Sequence, residues 1–360
     1  MKILVDIGHP AHVHVFKNAI RDLRKKGHEI TIVTKDKEVA IGLLEKFGLD
    51  YINLGKPGRG LFGKAHSLIY FDYQLYKIAK KVKPDILIGM GSPYLGHVSR
   101  LIKKPHISFW DTENAGLLIF LTFPFADTIC TPSCFLKSLG DRQVLFEGYK
   151  ELAYLHPHQF TPDPSVLDEL GLSRNERFII VRLISWAASH DVGLKGISDP
   201  VHMVQELEKF GRVFVSSETI PDKKLEKNRL TITPDKFHSL LAFSQLYIGE
   251  GGTIATEAAL LGTPAIHIES DSHGVATGYS SGNFLELRDK YGLMFFYPSE
   301  KEALSKAIEI LSDHDSKLEW QKKRKNLLKD KVDVTAWMTD FIERYPESFY
   351  RYKKGNRVMK

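Results

Sequence analysis

The first 150 residues alternate between short runs rich in β-branched and aromatic residues and longer stretches whose apolar residues recur every three or four positions. The short runs indicate strands and the longer stretches amphipathic helices. The predicted strands are KILVDI, HEITIVT, DILIGM, HISFW and DTICT, and the predicted helices cover residues 15–26, 38–47, 67–82 and 94–103. Because strands and helices alternate, we expect a parallel sheet with helices on both faces.

The same alternation returns after an interruption. Residues 147–165 carry three prolines and no sustained period, which is typical of a linker. Beyond it, the predicted strands are FIIVRLI, RVFVSS, LYIGE, PAIHI and LMFFY, and the predicted helices cover residues 201–210, 253–261, 301–311 and 317–345. We therefore predict one α/β domain over residues 1–150 and a second over residues 165–315. Residues 316–360 would form C-terminal helices and a basic tail, and these helices can return to brace the first domain.

Composition narrows the class of protein by exclusion. With 43% hydrophobic and 26% charged residues among 360, the chain is neither disordered nor collagen-like. Cys130 and Cys134 are too few for a disulfide scaffold, and they lack the second ligand pair of a structural zinc site. The N-terminus reads as a strand rather than a signal peptide, and Pro124 interrupts the longest apolar stretch, residues 115–126. We expect a cytoplasmic protein.

Positive charge is concentrated at the C-terminus. The last 60 residues hold 15 basic and 10 acidic side chains, and so carry five of the six net positive charges. A solvated helix face and a frayed tail explain this excess. Attraction to an anionic inner membrane face is the alternative, since each basic residue near lipid contributes about 1 kcal/mol. Nucleic acid is not expected as a partner, because no groove-reading motif accompanies the charge.

Candidate chemistry lies in loops that follow strands, because parallel sheets bind ligands at the carboxyl ends of their strands. The first such loop, GHPAHVH, holds His9, His12 and His14. A helix N-terminus disfavours imidazolium, which keeps a histidine there neutral and able to accept a proton. We predict His12 as a catalytic residue and His9 as a further candidate. No carboxylate accompanies these histidines, so we predict no metal site.

Two more loops carry polar residues of catalytic type. In WDTENAG, Asp111 and Glu113 can serve as a general base and as a hydrogen-bonding group for a sugar, or they can simply cap the next helix. In RLISWAASHD, the third loop, an arginine at a strand end is followed by small residues and a His-Asp pair. Arg182, Ser189 and His190 there suit a pyrophosphate with a protonated donor nearby.

The most specific pattern is EGGTIATE, which follows the strand LYIG and opens a helix. Gly251 and Gly252 at a helix N-terminus expose N–H groups to phosphate, and Thr253 can add a hydroxyl. Glu257 lies one turn further along, where its carboxylate can accept hydrogen bonds from the two hydroxyls of a ribose. The alternative is a simple cap, with Glu257 as a surface charge. The pattern is neither the GxGxxG fingerprint nor a P-loop.

Across nearly the whole chain, the sequence resembles an uncharacterised bacterial and archaeal family of unknown function that is related to the UDP-N-acetylglucosamine 2-epimerases and the GT-B glycosyltransferases. The segments that carry the resemblance are His12-Val13, residues 111–115, residues 188–191 with Gly193 and Gly196, Ser217-Glu218 and residues 249–264. It implies a GT-B α/β fold, in which two Rossmann-like domains face each other across a cleft. The acceptor would bind the N-terminal domain and the nucleotide sugar the C-terminal domain.

The resemblance also implies roles for single residues. His12-Val13 is similar to the Gly-Gly-His-Val loop of the lipid-linked murein N-acetylglucosaminyltransferases, which implies a place near the reacting sugar. TENAGL is similar to the HxEAGLR block of the epimerases, and Glu113 aligns with its glutamate, but Asn114 replaces the alanine and no arginine follows Leu117. His190 is similar to a C-terminal histidine of the epimerases, although the residues around it differ.

Three functions remain open. A metal-independent glycosyltransferase would move a sugar from a nucleotide-diphosphate donor, expected to be UDP-linked, to a cell-surface polysaccharide or lipid-linked acceptor. Arg182 and helix N-termini would stabilise the leaving group, and His12 or Glu113 would be the base. A nucleotide-sugar 2-epimerase would instead use Asp111, Glu113 and His190 around one carbon. The third function is a non-catalytic sugar-nucleotide-binding subunit. None of the three needs a cofactor besides the nucleotide sugar.

Overall fold

The strands that the structure describes form two separate parallel sheets. A computed structural model describes residues 1–355 except residues 37, 57, 59, 115, 187–192 and 218–221, and for residues 60–62, 64–66 and 117 it describes the backbone alone. The chain divides into an N-terminal unit, residues 1–159 and 331–360, and a C-terminal unit, residues 160–330. Each sheet lies in one unit.

The elements follow one another along the chain in β-α alternation. Up to residue 159 they are β1 (Lys2–Ile7), α1 (Pro10–Lys25), β2 (Glu29–Thr34), α2 (Glu38–Lys46), β3 (Ile52–Asn53), α3 (Gly60–Val82), β4 (Ile86–Met90), α4 (Pro93–Ile102), β5 (His106–Phe109), α5 (Gly116–Thr122), β6 (Thr128–Pro132), β7 (Gln143–Phe146) and α6 (Leu152–Leu155). The C-terminal unit contains α7 (Ser165–Glu169), β8 (Phe178–Leu183), α8 (Pro200–Leu207), β9 (Arg212–Ser217), α9 (Phe237–Phe243), β10 (Leu246–Gly249), α10 (Gly252–Leu261), β11 (Ala265–Ile268), α11 (Gly282–Leu285), β12 (Met294–Tyr297), α12 (Glu300–Ser312) and α13 (Ser316–Asp330). The last elements are α14 (Val334–Glu343) and α15 (Glu347–Gly355).

Both sheets are doubly wound. The N-terminal sheet has the order β3-β2-β1-β4-β5-β6-β7, and the C-terminal sheet the order β12-β11-β10-β8-β9. The order reverses between β1 and β4 in the first sheet and between β8 and β10 in the second. In open parallel sheets, ligands bind at the carboxyl ends of the strands beside such a reversal. The loops after β1, β8 and β10, all predicted as candidate loops, lie at these points.

Helix α1 begins five residues earlier than the apolar period predicts. Pro10 occupies the first turn, where its missing N–H costs nothing, and the Nδ1 of His9 accepts the N–H of Ala11. The prediction that the helix begins at residue 15 was therefore wrong, because it passed over the signals of a helix start. His12 therefore lies inside the helix rather than in a loop before it, and His14 lies one turn into the helix, as expected.

The predicted linker, residues 147–165, is in its first half part of the core of the N-terminal unit. Tyr149, Tyr154 and Leu155 are fully buried, and α6 packs against α1 and α14. The prolines that suggested a linker all follow residue 156. Apolar side chains that lack a clear period hide this packing from a pattern analysis.

The C-terminal segment is shared between the two units. Helix α13 belongs to the C-terminal unit, where the partly buried Lys317 donates hydrogen bonds to the carbonyls of Ala242 and Ser244. Helices α14 and α15 belong to the N-terminal unit. Their boundary, between residues 330 and 331, differs from the sequence-based boundary between residues 315 and 316. Among the described residues, no helix combines the length and hydropathy needed to span a bilayer.

Candidate functional site

Helix α10 reaches the surface of the C-terminal unit through its N-terminus. Residues 255–261 are all buried, whereas residues 251–254 are partly exposed. The N-cap residue is Gly251, which has no side chain that could cap the helix. The first amides of a helix carry partial positive charge, so a partly exposed start that begins with glycine is suited to a phosphate. Thr253 lies in this first turn.

Backbone geometry requires both Gly251 and Gly252 at the turn that leads into α10. Gly251 has φ 86°, a backbone conformation that residues other than glycine rarely adopt. A Cβ on Gly252 would lie 2.7 Å from Cζ of Phe284, which is too close for two carbon atoms. The glycines therefore let the chain turn sharply into α10 while Phe284 packs against Gly252.

Arg182 lies on the neighbouring strand. In register, β8 pairs Arg182 with Gly249 on β10 and with Ser216 on β9. Its Nη1 donates a hydrogen bond of 2.8 Å to the Ser216 hydroxyl, and its carbonyl accepts the N–H of Glu250. The guanidinium therefore lies at the same sheet edge as the start of α10.

Glu257 is buried one turn into α10 and contacts a residue that the sequence analysis did not single out. Its Oε1 lies 3.1 Å from Nε2 of His238 on α9, and both side chains are only 7% exposed. Thr256, one residue earlier, directs its hydroxyl back to the Gly252 carbonyl. The reading of Glu257 as a surface charge was wrong, because the carboxylate lies between two packed helices.

Glu250 is a second residue that the sequence analysis did not single out. Its two carboxylate oxygens accept the N–H groups of Ile184 and Ile197, each at 2.8 Å. A Cβ on Gly196 would lie 2.1 Å from Oε1 of Glu250, so the chain passes directly over the carboxylate. Burial raises the pKa of Glu250, and the hydrogen bonds partly oppose that shift. The sequence did hold a signal for Glu250, namely an acidic residue between Gly249 and Gly251 at the end of a strand.

The structure brings most of the predicted nucleotide-binding residues to one sheet edge. Arg182 lies near the carboxyl end of β8, and Gly251, Gly252 and Thr253 follow the adjacent strand β10; neighbouring strands lie about 5 Å apart in a sheet. Glu257 lies one turn further along α10 than Thr253. Ser189 and His190 lie outside the described residues.

In the N-terminal unit, His9 and His12 lie together at the start of α1. Their ring centroids are 5.8 Å apart, and His12 is partly exposed. The N–H of Gly8 donates a bond of 3.3 Å to Nδ1 of His12. The lone pair of a neutral His12 ring is thus on Nδ1, and its proton is on Nε2.

His14 belongs to the core. It is 7% exposed, and its ring lies 5.7 Å from that of Phe47 and 5.3 Å from that of Tyr154. Lys35, which the sequence analysis did not consider, lies beside the first candidate loop. Its ammonium lies 4.7 Å from the centroid of the Tyr94 ring and packs against Gly8.

Asp111 forms an ion pair that the sequence did not predict. Its carboxylate contacts the ammonium of Lys150, whose Nζ also lies 3.4 Å from Glu151, and Asp111 is 8% exposed. Burial alone would lower the pKa of Lys150, but the charges of Asp111 and Glu151 outweigh it and raise the pKa. One positive and two negative charges therefore meet around Lys150, with a net charge of −1.

Glu113 is also engaged. It is 4% exposed, and its Oε1 accepts the N–H of Leu136 at 3.3 Å. Its backbone carbonyl accepts a bond of 2.7 Å from Nζ of Lys137. These contacts fasten the loop after β5 to the loop after β6. Because β4 separates β1 from β5, the loops of His12 and Asp111 begin roughly 10 Å apart along the sheet edge.

Two doubly wound parallel sheets are the α/β architecture of the GT-B glycosyltransferases and the epimerases related to them. The structure is similar to UDP-GlcNAc 2-epimerase from Neisseria meningitidis bound to UDP-GlcNAc, with a TM-score of 0.64 and 14% identity over 98% of this chain and 100% of that chain. It is also similar to MurG from Acinetobacter baumannii, with a TM-score of 0.60 and 13% identity over 95% of this chain and 99% of that chain. The predicted GT-B-like α/β class with two Rossmann-like domains is confirmed.

The chain belongs to the family described as "Protein of unknown function (DUF354)", whose model matches residues 1–285. The uncharacterized protein MJ0665 of Methanocaldococcus jannaschii is 28% identical over 284 residues, which are 74% of this chain and 81% of that protein. The UDP-N-acetylglucosamine--N-acetylmuramyl-(pentapeptide) pyrophosphoryl-undecaprenol N-acetylglucosamine transferase of Buchnera aphidicola subsp. Baizongia pistaciae is 31% identical over 125 residues, 32% of this chain and 35% of the transferase. The predicted family resemblance is confirmed.

Proposed function

We propose that this protein is an enzyme, a metal-independent glycosyltransferase that moves a sugar from a nucleotide-diphosphate donor to a polysaccharide or lipid-linked acceptor. The observation that carries the proposal is the partly exposed start of α10, with Gly251 at its N-cap, at the reversal of the C-terminal sheet. The similarity to a transferase and an epimerase whose names include UDP-N-acetylglucosamine supports a UDP-linked donor.

The donor's leaving group sets the requirements of this site. When the bond between the anomeric carbon and the phosphate oxygen breaks, the diphosphate takes the electron pair and gains negative charge. The amides of Gly252 and Thr253 and the guanidinium of Arg182 would stabilise that charge without a metal ion, because they are fixed before the reaction begins. Glu257 would accept hydrogen bonds from the ribose hydroxyls, and the contact of its Oε1 with His238 would hold the carboxylate in place.

The acceptor hydroxyl must lose its proton as it attacks the anomeric carbon. His12 would be the base, because its ring lies in the first turn of α1, is partly exposed and carries its lone pair on Nδ1. The carboxylates of Asp111 and Glu113 are bound to Lys150 and to Leu136 in the protein's own structure. Those contacts also speak against an epimerase, which needs several acids and bases available around one carbon.

A lipid-linked acceptor would bring the protein to the inner face of a membrane, and α3 has a surface suited to this. Ile69 is 73% exposed and Tyr73, one turn further, is 59% exposed. Lys77, another turn on, lies 4.8 Å from the centroid of the Tyr73 ring. Exposed apolar and basic side chains on one helix favour the interface of an anionic bilayer. The protein would act in the cytoplasm as a peripheral membrane enzyme.

Binding of donor tests the site in the C-terminal unit. Isothermal titration with UDP-sugars and with other nucleotide sugars should identify one donor class. Thr253→Val keeps the shape of the side chain but removes its hydroxyl, and it should weaken donor binding roughly 10- to 150-fold, since a hydrogen bond to a charged group contributes about 1.5–3 kcal/mol. Thr231→Val, at an exposed threonine of the same unit, is the control. Equal affinities of the two variants would remove Thr253 from the site.

The reaction is tested separately. With donor in D2O and no acceptor, an epimerase yields an isomer labelled with deuterium at the second carbon of the sugar, whereas a transferase yields no labelled isomer. With lipid-linked or glycan acceptors, a transferase releases nucleoside diphosphate, and His12→Ala should slow that release 10²- to 10⁴-fold, the usual contribution of a general base. If the protein binds the donor but catalyses neither reaction, the function that remains is that of a non-catalytic sugar-nucleotide-binding subunit.

A further inference from the structure

A group of potential metal ligands lies in the N-terminal unit and includes none of the residues assigned above. It consists of His156 and His158, which flank Pro157, and of Asp333 at the start of α14. Oδ2 of Asp333 lies 3.5 Å from Nδ1 of His158 and 3.9 Å from Nδ1 of His156. Sequence analysis did not find this group, because its carboxylate comes from a distant part of the chain.

The spacing of the three ligand atoms is close to that of a transition-metal site. Zinc binds nitrogen and oxygen ligands at about 2.0–2.2 Å in a tetrahedron, which separates the ligands by roughly 3.4 Å. All three atoms already lie within 4.8 Å of one another. His158 is 75% exposed, so its ring can move the remaining distance, and a water molecule can complete the tetrahedron from that side.

The carboxylate is held in place by its own partners. Oδ1 of Asp333 caps α14 by accepting the N–H of Ala336, and Oδ2 accepts a bond of 2.8 Å from the side-chain amide of Gln159. Partners of this kind fix the orientation of a ligand before the metal binds. Metal binding at this site has a cost. Nδ1 of His156 accepts the backbone N–H of His158 at 3.3 Å, and it must give up that long hydrogen bond to bind the metal.

We propose that His156, His158 and Asp333 form a site for a divalent transition-metal ion of the zinc class. Two imidazole nitrogens and one carboxylate suit zinc, cobalt or nickel, whereas magnesium and calcium prefer sites made of oxygen atoms. The ion would join residues 156–158 to residue 333, the segments by which the chain leaves and re-enters the N-terminal unit. Its role is structural, so it does not conflict with metal-independent transfer.

Titration of the chelator-treated full-length protein with Zn²⁺ tests this site, and Co²⁺ reports its geometry through visible absorption. The wild type should bind one ion at this site and show the strong bands of tetrahedral cobalt. His158→Ala and Asp333→Asn should each weaken binding at least tenfold and abolish those bands. Asparagine keeps the cap of α14, so Asp333→Asn should still fold. His314→Ala, which removes an exposed histidine of the C-terminal unit, is the control and should bind as the wild type does.

Two results would overturn the proposal. One is zinc affinity that His158→Ala and Asp333→Asn leave unchanged, because the ion would then bind elsewhere. The other is a wild type that binds neither Zn²⁺ nor Co²⁺, or that binds Mg²⁺ at these residues as tightly as Zn²⁺. Circular dichroism of each variant separates a lost ligand from a lost fold.

Discussion

At the scale of single residues, Asp111 shows how a pair of opposite charges can be built into a buried site. Asp111 and Lys150 come from loops 39 residues apart, and both side chains are more than four-fifths buried. Taking two charges out of water is costly, and their mutual attraction must offset that cost. Removing one partner leaves the other buried without compensation, so the pair is sensitive to substitution on either side.

Lys150→Met should destabilise the protein by about 3–5 kcal/mol, because Asp111 and Glu151 would keep their charges without a nearby cation. Urea unfolding followed by tryptophan fluorescence measures the change. Lys25→Met is the matched control, since Lys25 also pairs with an aspartate but is 71% exposed. Its loss should have little effect, as is usual for surface ion pairs. Equal midpoints for the two variants would mean that the buried pair does not stabilise the fold.

Individual residues of the candidate site also show what a single sequence can predict. Gly251, Gly252 and Thr253 form one contiguous signal, and the structure puts them at a helix start as predicted. Lys150 and His238 gave no signal, because each matters only through a carboxylate that folding brings to it. Local patterns identify loops that can bind a ligand, but pairs formed across the fold are not written in any one segment.

At the scale of elements, strand β5 begins with a histidine in the interior of the sheet. His106 is fully buried, and neither ring nitrogen has a hydrogen-bond partner among the described residues. Burial, with a smaller contribution from Arg100, lowers the pKa of His106 to about 3. A neutral histidine here costs the fold two unsatisfied polar atoms. A leucine would fill much of the same space without that cost.

The buried imidazole should make stability fall in acid. Between about pH 6.5 and pH 3 the unfolded chain binds a proton at His106 that the folded chain does not, so the free energy of unfolding decreases as pH falls, by up to about 1.4 kcal/mol per pH unit. His106→Leu should remove this dependence and raise the melting temperature more at pH 5 than at pH 8. His314→Leu, at an exposed position, should change neither. An equal rise in melting temperature at pH 5 and pH 8 would contradict the prediction that His106 causes the loss of stability in acid.

Elements were predictable where their pattern was long and regular. The strands predicted in the C-terminal unit agree with β8 to β12 within one residue at each end. Strand β3 has only two residues, both exposed, and therefore no alternation to detect. Helix α6 has four residues, and it is held by burial against α1 and α14 rather than by its own period. Tertiary packing decides such short elements.

At the scale of the whole molecule, the chain builds one unit from two separate segments and the other from a single segment. The last 30 residues complete the N-terminal unit. Trp337 stacks on Phe146 with ring centroids 4.6 Å apart, and Thr335 donates a hydrogen bond to the carbonyl of Ala153. Lys331, which is fully buried, pairs with Glu147. The order of the elements along the chain thus sets which part can fold without the rest.

The C-terminal unit, residues 160–330, should fold alone, because its sheet and its helices are contiguous in sequence. Expressed by itself, it should unfold cooperatively on heating and bind the donor nucleotide through α10. Residues 1–159 should not unfold cooperatively by themselves, since they lack the aromatic cover of α14, and addition of a peptide of residues 331–355 should restore the transition. Calorimetry measures each case. If residues 1–159 gave a sharp transition alone, the returning helices would be dispensable and the division into units would have to be redrawn.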